Sequence, residues 1–344
     1  MVRNRTSYKL QFLILIAAFV VAVLVSVVLG RYSLSLGDFF RVIWSKLPFT
    51  NVPQTWAPSA ENVLFQIRLP RIACAVLIGA ALSLAGICYQ GMFRNPMVSP
   101  DILGASTGAG FGAALAILLG AGYFVISATS FVFGLGAVLL AYVVSRFSKT
   151  NETVAMILAG MIISALFSAG TSYIKLVADT QDQLPAITYW LMGSLSSIKA
   201  RDLLFILIPI AVGMIPLFIL RWRLNLLTVE EETSKSLGIN ITLLRAIVII
   251  CATLLTSASV SVSGMIGWVG LVIPHFCRIL FGYDYRRLIP ATALFGATFL
   301  LVVDDIARLA TTGEIPLGIL TSFVGCPLFL YLLLTGGGRR ERRA

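Results

Sequence analysis

The sequence predicts an all-α integral membrane protein, and three observations carry that prediction. Of its 344 residues 58% are hydrophobic and only 12% charged, about half the charge of an ordinary soluble domain. The mean hydropathy is +0.94. The apolar residues fall into runs of about 20, the length that crosses a hydrocarbon core as helix, whereas barrel strands would be about 10 residues and would alternate.

In chain order the apolar spans are 10–29, 63–91, 102–120, 124–145, 153–174, 203–220, 242–261, 266–281, 288–308 and 315–335. The first follows the basic start MVRNRTSYKL and is too long for the core of a cleaved leader, so it reads as a retained helix. All of residues 1–344 read as a single transmembrane domain. With a cytoplasmic N-terminus, ten crossings return the C-terminus to the same face. Seventeen of the 26 Lys and Arg then lie on the cytoplasmic side, in keeping with the positive-inside bias. The net charge of +11 is thereby loop charge on a membrane protein and implies no nucleic acid. The five cysteines lie in or beside apolar stretches without a CxxC pair, which predicts neither disulfide nor metal site.

Every ionisable residue falls near a span end or in a loop. Ion-coupled carriers and channels usually need buried ionisable groups, so the pattern predicts a passage powered from elsewhere. The chain has no GxxxxGK[ST] phosphate loop, and any ATP must be hydrolysed by a partner. Two rivals come from other classes. An ion-coupled secondary transporter predicts a midplane acid or base. An intramembrane enzyme predicts a catalytic pair; Asp304 and Asp305 are adjacent, hence on different sides of a helix and at its end.

Several segments carry more detail. Ser99-Pro100-Asp101 reads as a helix start, and Gly104, Gly108 and Gly112 as a stripe that admits a neighbouring helix. Ser164, Ser168 and Ser172 repeat that spacing on the fifth span. They either line a wet passage or hydrogen-bond within the bundle. The segment 226–240 reads as a short helix capped by Thr228, with Glu230, Glu231 and Glu232 in its first turn and Gly238 at its end; it is either a docking lever or a solvated loop helix. In 264–278 three glycines precede Pro274 and the single histidine, His275, which is read as structural.

Six stretches in order, QIRLPRIACAVLIGAALSLAG (66–86), FRNPMVSPDILGASTGAGFG (93–112), YWLMGSL (189–195), EEETSKSLGI (230–239), GMIGWVGLVIPHFCRIL (264–280) and DDIARL (304–309), resemble the FecCD family. Its members are permease subunits of type II ABC importers for iron–siderophore complexes, haem and vitamin B12. The resemblance implies ten transmembrane helices per subunit and a dimer around a central translocation passage in a bacterial or archaeal cytoplasmic (inner) membrane, with both termini cytoplasmic. It implies a second permease subunit, two cytoplasmic ABC ATPases that use ATP and Mg, and an extracytoplasmic binding protein; no cofactor is expected on this chain. Glu231, Lys235, Leu237 and Gly238 correspond to the segment that couples to the ATPase. Arg68, Arg71 and Arg308 correspond to outward-facing arginines that pair with binding-protein carboxylates. Ser164, Ser168 and Ser172 fall on the passage-lining helix, and Asn95, Met97 and Thr153 in the cytoplasmic gate region, with Met97 in place of the commoner Leu. The run 179–195 resembles iron-complex members more than vitamin B12 members. Haem, corrinoid and oxyanion import share these motifs.

Overall fold

The computed structural model describes residues 5–30, 32, 35–46, 53–54, 56–149, 151–229, 240–311 and 313–334. The described residues form helices joined by turns. Ten of these helices match the ten apolar spans: α1 (Arg5–Val28), α4 (Leu69–Met92), α5 (Ala105–Leu118), α6 (Tyr123–Arg146), α7 (Glu152–Val177), α9 (Ala200–Leu220), α10 (Ile241–Ser263), α11 (Val269–Phe281), α12 (Tyr285–Leu309) and α13 (Leu317–Leu334). Seven stretches are long and apolar enough to cross a membrane; α5, α11 and α13 are shorter apolar helices. Three further helices were not read from sequence: α2 (Leu36–Ser45), α3 (Pro58–Asn62) and α8 (Gln183–Leu191). Ten crossings put the start of α1 and the end of α13 on one side of the bundle, here called the terminal side; α2, α3 and α8 lie on the distal side.

The core is built on α4. Nearly all of its residues are buried, without a break from Ile78 to Met92, and α10, α11 and α12 pack around it. Small residues make this possible. A side chain at Gly86 would collide with the backbone of Gly270 in α11, and one at Gly79 with that of Gly296 in α12. Backbones meet there with nothing between them, the packing that apolar solvent favours because burying larger side chains gains little. The predicted stripe works the same way for the α5–α6 pair: a Cβ on Gly108 would lie 2.6 Å from Ala137 Cβ, and one on Gly112 would lie 2.6 Å from the Thr129 carbonyl. Gly104 is different. Its φ of +88° ends a 3-10 turn and starts α5.

That turn corrects the expected helix start at Ser99. Pro100–Leu103 is 3-10 and Ser99 makes no side-chain cap; the α-helix begins at Ala105. The chain from Phe93 to Gly104 instead dips back into the bundle. Pro100 packs on Gly270, and the Ile102 carbonyl meets Gly160, about 12 Å along α7 from its start at 1.5 Å per residue. The peripheral helices present apolar faces outward, among them Leu13, Ile14 and Val21 on α1 and Leu204, Ile208 and Ile219 on α9. Those faces suit lipid or a second protein surface.

Gly86→Val should overpack the α4–α11 crossing and cost about 1–3 kcal/mol or more. It is expected to lower the melting temperature in detergent by several degrees. An unshifted melting curve would argue against backbone contact at this crossing.

Candidate functional site

Three broken helices converge on the distal side. Each break leaves backbone groups without helical partners, and in a bilayer these must be satisfied by other protein groups. Here the breaks satisfy one another: Ser194 N donates to Ser263 O at 2.7 Å, Leu317 N to Gly193 O at 2.8 Å and Gly318 N to Met192 O at 3.1 Å. Gly193 and Gly264 make the junction with φ of +74° and +67°, and a Cβ on Gly193 would sit 2.6 Å from the Met265 carbonyl.

Beside this junction lies a cavity of about 830 Å³. Its walls are the end of α8 with Leu191 and Met192, the connection carrying Met265, Ile266 and Trp268, and the face of α13 that includes Ile319, Ser322 and Phe323. The 100–107 segment closes it with Asp101, Ser106 and Thr107. Trp268 is one of two described non-glycine residues with positive φ, at +69°, and its ring packs edge-on against Phe329 with centroids 6.4 Å apart. Nearly all of the lining is apolar; Asp101 is the one ionisable group in it apart from the Cys326 thiol.

Asp101 keeps to a connection between spans, as expected of an ionisable residue, but that connection folds back against α7 and α11. It sits on the turn that re-enters the bundle, and its Oδ1 accepts from Ser106 Oγ. The carboxylate beside a helix start was visible in the sequence. The folding-back of the turn was not.

The serine stripe does not line this cavity. Ser168 and Ser172 lie on the exposed face of α7, where Ser172 Oγ donates to the Ser168 carbonyl at 2.9 Å. Ser164 is half-buried, with its Oγ 3.0 Å from where a Cβ on Gly104 would stand. On the terminal side, Asn95 Oδ1 accepts from Met97 N at 2.9 Å, and Met97 is 48% exposed. Thr153, in the first turn of α7, donates its N–H to Asn151 at 3.0 Å and shares a small cleft with Phe93 and Arg245. The turn that holds Asn95 and Met97 and the start of α7 are therefore neighbours. Glu231, Lys235, Leu237 and Gly238 lie outside the described residues. Thr228, expected to cap that segment, donates its hydroxyl back to Asn225 O at 2.7 Å.

The three arginines stand at the distal ends of α4 and α12, but not as the free outward forks the resemblance implies. Arg68, Arg71 and Arg308 are 3%, 6% and 7% exposed. Arg71 forms a double fork, with Nε and Nη2 on Asp304 at 2.8 Å and Nη1 and Nη2 on Glu314 at 2.9 Å. Arg68 caps the end of α1, donating to Val27 O at 2.6 Å, to Val28 O at 3.3 Å and to Tyr32 O. Arg308 binds Asp305 and the Ser26 carbonyl, and Ser26 Oγ donates to Asp305 at 2.8 Å. The correction has a physical cause: a guanidinium at the edge of an apolar bundle is costly unless carbonyls and carboxylates surround it. Asp304 and Asp305 do face different sides, as their adjacency predicts. Glu314 was not singled out; its partner lies 243 residues away in sequence.

With this geometry in place, comparison with known proteins is informative. Residues 18–335 match the FecCD transport family. The chain is 40% identical over 321 residues to the molybdate import system permease MolB of Haemophilus influenzae, covering 92% of this chain and 94% of that one. It is 40% identical over 324 residues to a Helicobacter pylori protein named as an iron chelatin transport system permease, covering 93% and 97%. A solved structure described as a metal-chelate type ABC transporter in an inward-facing conformation superposes with a TM-score of 0.85 at 40% identity, over 95% of this chain and 99% of that one.

Removing Arg71 would leave Asp304, whose side chain is 1% exposed, without its charge partner. Arg71→Met is expected to destabilise by about 3–5 kcal/mol, and adding Asp304→Asn should recover part of that loss. Melting of both variants in detergent checks it; equal stability of Arg71→Met and the parent would refute the buried pair.

Proposed function

The chain belongs to the FecCD transport family, and on that premise we propose that it is the membrane-spanning subunit of an ATP-driven importer of metal chelates. Permease is the description its relatives share. The cargo, the partners and the orientation are what the proposal adds. A second permease subunit, two ATPases that bind ATP and Mg, and an external binding protein complete the assembly, which sits in a bacterial or archaeal cytoplasmic membrane with both termini inside. The terminal side is then cytoplasmic and the distal side external.

The observation that carries the cargo reading is the lining of the 830 Å³ cavity. A free oxyanion needs fixed cations or several convergent donors. This lining offers no Lys, Arg or His, a carboxylate at Asp101, and hydroxyls at Ser106, Thr107 and Ser322, whose protons are already given to Asp101, the Gly104 carbonyl and the Gly318 carbonyl. A like charge placed against a carboxylate costs several kcal/mol. A chelate whose ligands neutralise the metal, as three hydroxamates do for ferric iron, carries no net negative charge and presents its carbon skeleton outward, which suits walls of Met, Ile, Phe and Trp. Weak, non-directional contacts also suit release, since a tight site would hold the cargo back.

In this assembly Glu231, Lys235, Leu237 and Gly238 would receive the ATPase stroke, and Asn95, Met97 and Thr153 would lie at the cytoplasmic gate. Ser164, Ser168 and Ser172, on a face uncovered in the single chain, would complete the passage against the second subunit. Arg68, Arg71 and Arg308 would meet the binding protein only if its carboxylates displace or join the internal ones, because each guanidinium is already engaged. Docking by partner exchange is slower than docking onto free charges, and it ties arrival of the binding protein to loosening of α1 and α12.

The test is uptake into proteoliposomes holding the permease, its ATPase and its binding protein, with a ferric hydroxamate, haem and molybdate as probes. ATP-dependent uptake of an iron chelate is expected, with molybdate at background. Molybdate uptake at a comparable rate would overturn the cargo assignment. Uptake by the permease alone under a sodium or proton gradient would favour a secondary carrier instead.

A further inference from the structure

Arg94 follows the end of α4 by two residues and holds φ of +49°, a conformation that L side chains other than Asn, Asp and His seldom adopt. An outlier of this kind persists only where its surroundings over-determine it. Its own side-chain contacts hold it. Its guanidinium reaches across to the 3-10 segment Arg223–Thr228, where Nε donates to Leu227 O at 3.1 Å and Nη2 to Val229 O. These carbonyls end a short helix and have no helical donors of their own. A planar fork can hold two such oxygens at once; a lysine ammonium holds them less well.

Both ends of this bridge are anchored. On one side, the turn containing Arg94 is fixed by Arg94 N to Gly91 O at 3.2 Å and Asn95 N to Gln90 O at 3.1 Å, and it continues directly into Asn95 and Met97. On the other, Leu224, Leu226 and Leu227 are buried. Asn225 Nδ2 donates to Asp284 at 3.1 Å, and Asn225 Oδ1 accepts from Tyr285 N at 3.0 Å. Leu227 and Val229 are early residues of the expected 226–240 segment, and Val229 lies two residues before Glu231, the first of those expected to meet the ATPase. A link of hydrogen bonds thus runs from the described start of that segment to the turn that carries Asn95 and Met97.

We propose that Arg94 is a positioning residue of energy coupling: its fork ties Leu227 and Val229, at the start of the expected 226–240 segment, to the 94–97 turn, so that displacement of one displaces the other. The inference rests on the importer reading above. Arg94 touches neither the cavity nor a nucleotide. It acts through the turn it holds, and the left-handed backbone is what aims its fork across the gap.

The decisive variant is Arg94→Gly, because glycine adopts the same φ without a Cβ penalty and removes only the fork. In proteoliposomes of the full complex, the number of ATP hydrolysed per chelate imported is expected to rise at least about tenfold. Melting temperature and binding-protein-independent ATPase rate should stay near those of the parent. Arg94→Lys should fall between the two. Unchanged ATP per chelate in Arg94→Gly, with the parent transporting, would overturn the proposal while leaving the importer reading intact. A fall in ATPase rate, uptake and melting temperature together would overturn it as well, since that is the signature of a purely structural cap. A parent complex that hydrolyses ATP without importing chelate would defeat the importer reading, and this inference with it.

Discussion

Interrupted backbone inside an apolar solvent is the constraint on which the rest of this structure depends. Water cannot satisfy an orphaned amide there, so each break must find another break or a polar side chain. The connections 190–195, 263–268 and 314–318 do the first, exchanging Ser194 N, Ser263 O, Leu317 N and Gly193 O among themselves. The turn from Phe93 to Gly104 does the second, with Gln90 Nε2 donating to Val98 O at 3.1 Å and Asp101 receiving Ser106. The shortness of α5, α11 and α13 follows from these breaks, and so does the cavity between them. An unbroken ten-helix bundle would have filled that space with side chains.

The same economy governs the charges. Asp304, Asp305, Arg71 and Arg308 are buried where α4 meets α12, yet each has an opposite charge within hydrogen-bond reach. Arg68 has only carbonyls, at the frayed end of α1, where they lack donors. These pairings fix how α1, α4 and α12 are set against each other, with the buried Nε of Arg308 left without a partner. That is why these three positions, read as open forks from a resemblance, became part of the scaffold.

How far the sequence reaches follows from range. The ten spans were legible because length and apolarity are local properties, and all ten helices lie within a few residues of the predicted limits. Gly108 and Gly112 were read correctly from spacing alone. Helix α2 was missed although Ser35 and Asp38 carry a start signal, with Ser35 Oγ accepting from Asp38 N at 3.0 Å; it is only ten residues long, too short to cross a membrane. Helix α8 is shorter still. What no local pattern gives is partnership at a distance: Arg71 and Asp304 are 233 residues apart, and the Arg94 fork spans 135 to Val229. Asp101 shows the same limit, since its chemistry was plain and its surroundings depended on Gly160 and Gly270.

The glycine crossings on α4 bear on how such a bundle could rearrange. Helices separated by side chains slide a little, because rotamers act as bearings. Where Gly86 meets Gly270 and Gly79 meets Gly296 there are no bearings, and a shift of one residue would drive Cβ atoms into carbonyls. Helices α4, α11 and α12 therefore travel as one plank, further pinned at its distal rim by Arg71. Any rearrangement would fall instead on contacts made through side chains, such as the tilted rings of Phe111 and Phe167 between α5 and α7.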